Sequence, residues 1–340
     1  MVNVLVTGAG GGVGQGIIKS IKMIGDLDIH IVAADMSEKS SGLYAGDVAR
    51  LVDACKSDAY LETLGKIFVK DSIDYYFPGT DVELKFCAKY KSLILENYGV
   101  KTVISSLEAV EISDDKFKTY LFLKNNGFSY PKTVWLNEFL QSEEVAFPVI
   151  VKPAIGCGSI GVYKVRNEDE LSIHLNDFDG KVAQELIGDD ESEYTCTVVK
   201  VNNKVSPVLA LKRTLRSGDT YRAEPINSEI IKNYVHEVAC ALEIDGACNF
   251  QLRLDSTGIP KIFEINCRFS GTTPFCSQLG FNPVEFYLKH DLSIDYTPTI
   301  DYSSVVLRYW MEVVVPKETL EELKINGVNK PNLKNQFNLF

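Results

Sequence analysis

The chain has 340 residues, enough for two or three domains with cores of their own. Its formal net charge is -11 and no run of Lys or Arg interrupts it, which argues against a surface built for nucleic acid or for an anionic membrane. No apolar stretch approaches the roughly 20 residues of a membrane span. The 8 Cys lack any Cys-x-x-Cys pair and the 4 His are dispersed, so reduced thiols, no zinc site and a cytoplasmic setting are expected.

Met1-Val2-Asn3-Val4-Leu5-Val6 has no basic leader segment and passes directly into a strand pattern over Val2 to Val6. A glycine-rich turn follows, then a helix pattern from Gln15 to Ile24 and a second strand, Ile29 to Ala34, ending at Asp35. This order predicts a Rossmann-like βαβ unit. Gly8, Gly11 and Gly14 have a spacing that can admit a pyrophosphate, with Asp35 on a ribose. The plainer reading is a tight strand-to-helix turn. Tyr120 and Lys124, with Ser105 and Ser106 upstream, fit the acid/base set of a short-chain dehydrogenase, so an NAD(P)-dependent oxidoreductase or epimerase is an alternative. Further strands are expected at 75–77 and 102–104. Asp81 follows the first of them, where open α/β sheets bind ligands, and it or Glu83 either meets substrate or caps the next helix.

Ser113-Asp114-Asp115-Lys116 predicts a helix start capped by Ser113 or Asp114. Lys116 then lies in the first turn, where the helix dipole disfavours a cation and an anionic partner would relieve it. The strand Val149 to Lys152 ends on a lysine. Directly after it, Gly156, Gly158, Ser159 and Gly161 make a glycine loop before a strand at 162–165, which suggests a hairpin lid able to fold over phosphates. Gln184, Glu185, Leu186 and Ile187 end another strand, positioned to clamp an adenine by backbone bonds, and Glu193 beyond them can accept from ribose hydroxyls.

Strands are expected at 194–199, 208–213, 249–254 and 261–266, with a helix over 228–242. Arg213 and Arg216, before Ser217-Gly218, are read as a loop that is either a surface turn or a grip on a substrate carboxylate or phosphate. The run 251–264 reads as a hairpin that brings Gln251 toward Glu264 and Asn266. Glu264 and Asn266 are two apart on one strand face, and Arg268 follows. Oxygen donors beside a guanidinium suit a metal-bound polyphosphate. A long strand is expected over 305–316, and the tail from Lys317 is expected to be loosely held.

In order along the chain, these motifs resemble the ATP-grasp superfamily, and most of all stand-alone proteins similar to the synthetase unit of the carbamoyl phosphate synthase large subunit. The resemblance implies an α/β architecture: a Rossmann-like pre-ATP-grasp domain over 1–112, a small lid subdomain over 113–185, and a larger catalytic subdomain over 186–340 with a C-terminal closing segment. It implies ATP with Mg²⁺ or Mn²⁺. Lys116 and Lys152 would meet phosphates, Glu185 to Ile187 the adenine and Glu193 the ribose. Gln251, Glu264 and Asn266 would hold the metal, and Arg268 would stabilise the transferring phosphoryl group. The implied reaction joins a small carboxylate to an amine, ammonia or a thiol through an acyl phosphate, in a monomer or a homodimer. A non-catalytic ATP sensor is the remaining alternative.

Overall fold

The computed structural model describes residues 1–331 except 143, 157, 159, 175–178, 190, 191 and 310. Five parallel strands open the chain: β1 Val2–Val6, β2 Ile29–Asp35, β3 Val48–Leu51, β4 Tyr75–Phe77 and β5 Lys101–Thr102, in the spatial order β3-β2-β1-β4-β5. Helices α1 Gly12–Lys22, α2 Tyr60–Lys70 and α3 Leu84–Tyr98 connect them. The central strands β1, β2 and β4 are mostly apolar, as parallel strands covered on both faces must be.

The helix starts at Gly12, not Gln15, because the glycine turn is tighter than its sequence suggests. Gly8 has φ +57°, and a side chain at Gly14 would collide with the Gly8 carbonyl. Those two glycines are required by the backbone itself.

Helix α4 Leu107–Asp114 leads out of this unit and α5 Lys116–Asn125 follows after one residue. The cap of α5 is Asp115, whose carboxylate accepts from Phe117 N (2.9 Å) and Lys118 N (3.2 Å); Ser113 and Asp114, the expected caps, close α4 instead. An antiparallel sheet comes next: β6 Thr133–Trp135, β7 Val149–Pro153, β8 Tyr163–Val165 and β9 Lys181–Glu185, in the order β6-β9-β7-β8, with α6 Glu168–His174 between β8 and β9.

The largest sheet is also antiparallel. It contains β10 Glu193–Val201, β11 Lys204–Val205, β12 Leu209–Arg216, β13 Asp219–Ile226, β14 Gly246–Leu254, β15 Pro260–Asn266 and β16 Val306–Leu307. Helix α7 Glu229–Ala241 covers one face, while α8 Thr273–Gln278 and α9 Pro283–Asp291 pack toward α1. Two differences from expectation arise here. Arg213 and Arg216 lie on a strand, not in a loop, because Ser217 (φ 52°) and Gly218 (φ 85°) form the tight two-residue turn of the β12–β13 hairpin. The long strand expected over 305–316 reduces to Val306 and Leu307.

The tail departs too. Helix α10 Lys317–Asn326 leads into β17 Val328–Asn329, which pairs antiparallel with Arg50 and Ala49 of β3. Residues assigned by sequence to the last part of the chain therefore complete the edge of the first sheet. No helix among the described residues is long and apolar enough to cross a membrane.

Candidate active site

A cleft of about 240 Å³ opens between the small sheet and the largest one. Lys116, Lys152 and Gly156 stand on one side with Gln184 to Ile187; Glu193, Arg213, Gln251, Arg253 and Glu264 stand on the other. Apolar walls come from Ile150, Ile160, Val162, Leu215 and Phe263.

Lys152 is 5% exposed at the end of β7. Its Nζ donates to Gln184 Oε1 (2.8 Å) and to the Phe263 carbonyl (3.1 Å). That carbonyl is available because of a break in the β14–β15 ladder. Gln251 faces Glu264 and Leu252 faces Ile262, so Phe263 is an extra, unpaired residue. A bulge of this kind re-aims a strand locally. It also explains why Ile262 and Ile265, three apart, both enter the same core. Burial pushes the Lys152 amine down to about 8; Lys116 adds to this, and Glu264 and Glu193 oppose it.

Lys116 is also buried, and its Nζ donates to the Gly156 carbonyl. Its backbone N–H donates to Ala154 O (2.9 Å). Helix α5 thus holds the base of the β7–β8 hairpin. Gly158 (φ +66°) and Gly161 (φ +74°) turn the hairpin tip. Ser159, expected in this lid, lies outside the described residues.

Polar side chains run in series from the cleft to the loop after β4. Both oxygens of Glu193 are engaged: Oε1 by Arg213 Nε (2.9 Å) and Nη2 (2.5 Å), Oε2 by Arg253 Nε (3.1 Å) and Nη2 (2.8 Å). Four N–H bonds fill the acceptor capacity of a carboxylate. A ribose hydroxyl reaches Glu193 only if an arginine yields a bond. Arg213 Nη2 also donates to Gln251 Oε1 (2.8 Å). Glu264 Oε1 then accepts from Gln251 Nε2 (3.4 Å) and Asn266 Nδ2 (3.0 Å), and Asn266 Oδ1 accepts from Arg268 Nη2 (3.2 Å). Arg268 Nε ends the series on Asp81 Oδ1 (2.5 Å), in the loop after β4.

The structure therefore joins Glu193, Gln251, Glu264, Asn266, Arg268 and Asp81 in one chain of contacts. Arg213 belongs to it as a partner of Glu193, and Arg216 is not among the cleft residues: it is exposed against the Tyr221 ring (5.3 Å). Arg253 and Phe263 were not singled out from the sequence. Arg253 lies two after Gln251, a weak signal that parity alone supplies; the Phe263 carbonyl depends on the bulge, which left no signal.

The glycine turn of the first unit is occupied by its own residues. Asp35 Oδ2 accepts from Gly10 N (2.8 Å), and Gln15 Nε2 donates to the Gly10 carbonyl (2.8 Å). Lys124 does donate to Tyr120 Oη (2.9 Å), but helix α5 packs against α4, β6 and β15 rather than against that turn. Glu83 acts as a buried fastener, accepting from Thr7, Tyr60 and Tyr76 hydroxyls and from Gly79 and Thr80 N–H groups.

Residues 113–272 match the family model described as ATP-grasp domain. The chain carries an ATP-grasp domain. It is 26% identical over 294 aligned residues to the carbamoyl phosphate synthase large chain of Thermoplasma acidophilum, a match covering 74% of this chain and 28% of that relative. The chain thus spans little more than a quarter of that relative's length. Among solved structures, the N5-carboxyaminoimidazole synthetase of Staphylococcus aureus complexed with ADP aligns with a TM-score of 0.68 at 17% identity, over 88% of this chain and 79% of that one. The biotin carboxylase domain dimer of the Hydrogenobacter thermophilus 2-oxoglutarate carboxylase, in complex with MgADP and bicarbonate, aligns at 0.68 and 17% identity, over 89% and 73%. At these identities the likeness speaks for the ATP-grasp fold.

The glycine hairpin between β7 and β8 leads to a first expectation. Ile160 lines the cleft yet is 78% exposed, so closure over a nucleotide would bury it. Limited proteolysis of the protein alone should cut within 154–162, and Mg-ATP should suppress that cut. Equal cutting in both states would refute a nucleotide-ordered lid.

Proposed function

We propose that the chain is an ATP-dependent carboxylate ligase that forms an acyl phosphate, which an amine, ammonia or a thiol then attacks. The observation that carries this reading is the cleft that sets two buried lysines opposite Glu264 and its two amide neighbours. Lys116 and Lys152 with the lid residues Gly156, Gly158, Ser159 and Gly161 would hold the phosphates. The segment Gln184 to Ile187 would take the adenine and Glu193 the ribose.

The donor set fits Mg²⁺. One carboxylate and two amides supply hard oxygens. The amide oxygens of Gln251 and Asn266 now face arginines, and rotation about the last side-chain bond would bring both toward Glu264 Oε1. Among the described residues no cluster of three or more His, Cys, Asp or Glu offers a competing metal site. When bound, the metal would offset phosphate charge. The protein's own part is to align the acid so that its carboxylate oxygen attacks the γ-phosphorus as the bond to the β-phosphate breaks and ADP leaves, with Arg268 neutralising charge on the transferred group.

In this reading residues 1–112 form the pre-ATP-grasp unit, 113–185 the lid, and 186–316 the catalytic part, with the segment from 317 closing back onto the first unit. The relatives named above are a synthase, a synthetase and a carboxylase domain, which agrees with this class.

Mg-ATP should raise the melting temperature, whereas NAD and NADP should leave it unchanged. With a substrate acid present, hydroxylamine in place of the amine should yield a hydroxamate. A shift with NAD(P) and none with Mg-ATP would overturn the reading, as would turnover that never produces hydroxamate.

A further inference from the structure

Resting on the ligase reading, we propose that Arg308 binds the second carboxylate of a dicarboxylic acid substrate, whose reacting carboxylate lies toward Arg268. Arg308 follows β16, and its backbone N–H donates to the Tyr221 carbonyl (2.9 Å). Its guanidinium reaches across to the loop that continues from β15: Nη2 donates to Gly271 O (2.5 Å), and Cζ lies 4.9 Å from the Phe275 ring centroid. The head group is thereby fixed between the largest sheet and the loop that carries Arg268.

Three further observations point to an anion there. Position 271 is a glycine, and the single described atom within 4 Å of where its side chain would begin is Arg308 Nη2 at 3.9 Å. The guanidinium thus borders open space in the loop. Among the described residues its one hydrogen-bond acceptor is the Gly271 carbonyl, although guanidinium offers five N–H donors in a fork suited to carboxylate. The carboxylate that acts on its charge is Asp219, which is exposed. Lys19, from the last turn of α1, brings a second cation close enough to repel it. Burial and Arg308 push the Lys19 amine down, and burial pushes Arg308 down with Asp219 partly offsetting it.

The spacing admits a diacid. Arg268 Nη1 donates to Phe269 O (3.0 Å) and Arg308 Nη2 to Gly271 O (2.5 Å). These carbonyls are two residues apart, at most about 7 Å along the chain. An acid with two or three carbons between its carboxylates can bridge the two guanidinium groups. A monocarboxylate of the same length would leave Arg308 facing water. Arg213, whose guanidinium is committed to Glu193 and Gln251, and Arg216, exposed against the Tyr221 ring, are poorer candidates for this role.

The test measures ADP release and hydroxamate formation with Mg-ATP and hydroxylamine. Succinate, glutarate, L-aspartate and L-glutamate are compared with butyrate and valerate. At least one diacid should exceed its chain-matched monoacid in kcat/KM by about tenfold or more, as a charge-assisted bidentate contact allows. Arg308→Ala should raise KM for that diacid by about tenfold while the melting shift given by Mg-ATP stays as in wild type; Arg308→Lys should recover part of the loss. The inference falls if monoacids match diacids in wild type, if no diacid turns over, or if Arg308→Ala keeps the wild-type KM. Should Arg308→Ala fail to fold, the wild-type comparison decides alone. If Mg-ATP fails to stabilise the wild type, the ligase reading itself has failed; if Mg-ATP binds and the diacid comparison fails, only the assignment of Arg308 has.

Discussion

Glu264→Gln should leave a folded protein that still binds ADP but turns over at least about a hundredfold more slowly. Glu264 is the single carboxylate of the proposed donor set and accepts from Gln251 and Asn266. Glutamine keeps the size and one acceptor oxygen, and the residue is only half buried on a polar face, so the core is spared. Nucleotide affinity should persist because Lys116, Lys152 and the segment proposed for the adenine are untouched. What is lost is negative charge opposite the transferring phosphoryl group, an effect felt chiefly in the transition state. Circular dichroism and an ADP-induced melting shift would check fold and binding, and ADP release with a confirmed acid would check rate. Near wild-type turnover in this variant would sink the assignment of the metal site.

Nucleotide affinity should weaken above pH 8 in a manner that Lys152 controls. Its amine titrates at about 8 in the empty protein, against roughly 10.4 for an exposed lysine. The folded state therefore holds a depressed lysine. Its penalty, about 3 kcal/mol, is fully present below pH 8 and is relieved as pH rises through 8 toward 10.4, where the unfolded chain still binds the proton. Stability of the empty protein should gain from this group across that window. Binding runs the other way, since phosphates favour the charged amine. At pH 9 about a tenth of the empty protein has Lys152 charged, so ADP should bind about tenfold more weakly than at pH 7. Lys152→Met should cost roughly thirtyfold or more at pH 7 and remove the slope between pH 8 and 9. Calorimetric titration at the three pH values would decide; a slope that survives in Lys152→Met would assign it to another group.

Much of this site was legible because its chemistry sits on local patterns. A strand ending in Lys152, a glycine hairpin after it, and Glu264 and Asn266 two apart on a strand all follow from short-range periodicity and turn chemistry. The misreadings arise where long-range partners or single backbone angles decide. Asp115 rather than Ser113 caps α5, because α4 runs on to Asp114 and uses the Ser113 hydroxyl on its own Ala109 carbonyl. Ser217 adopts a positive φ that sequence rarely signals, and this turned an expected loop into a hairpin that placed Arg213 beside Glu193. The apolar run at 305–316 looked like a strand because strand and extended coil share a composition. Among the described residues of that run, Val306 and Leu307 alone pair with β13.

The pairing of Val328 with Arg50 has a consequence for synthesis. A chain emerging from a ribosome presents β1 to β5 first, yet the outer edge of that sheet stays open until β17 has been made, about 280 residues later. At about 5–20 residues per second that interval is roughly 14–56 s. Throughout it, β3 displays unpaired N–H and C=O groups of the kind that recruit other strands. The buried Arg50–Asp71 ion pair (2.6 Å) secures β3 from the side during that wait, so the nascent first unit can hold its shape while its last strand is still to come.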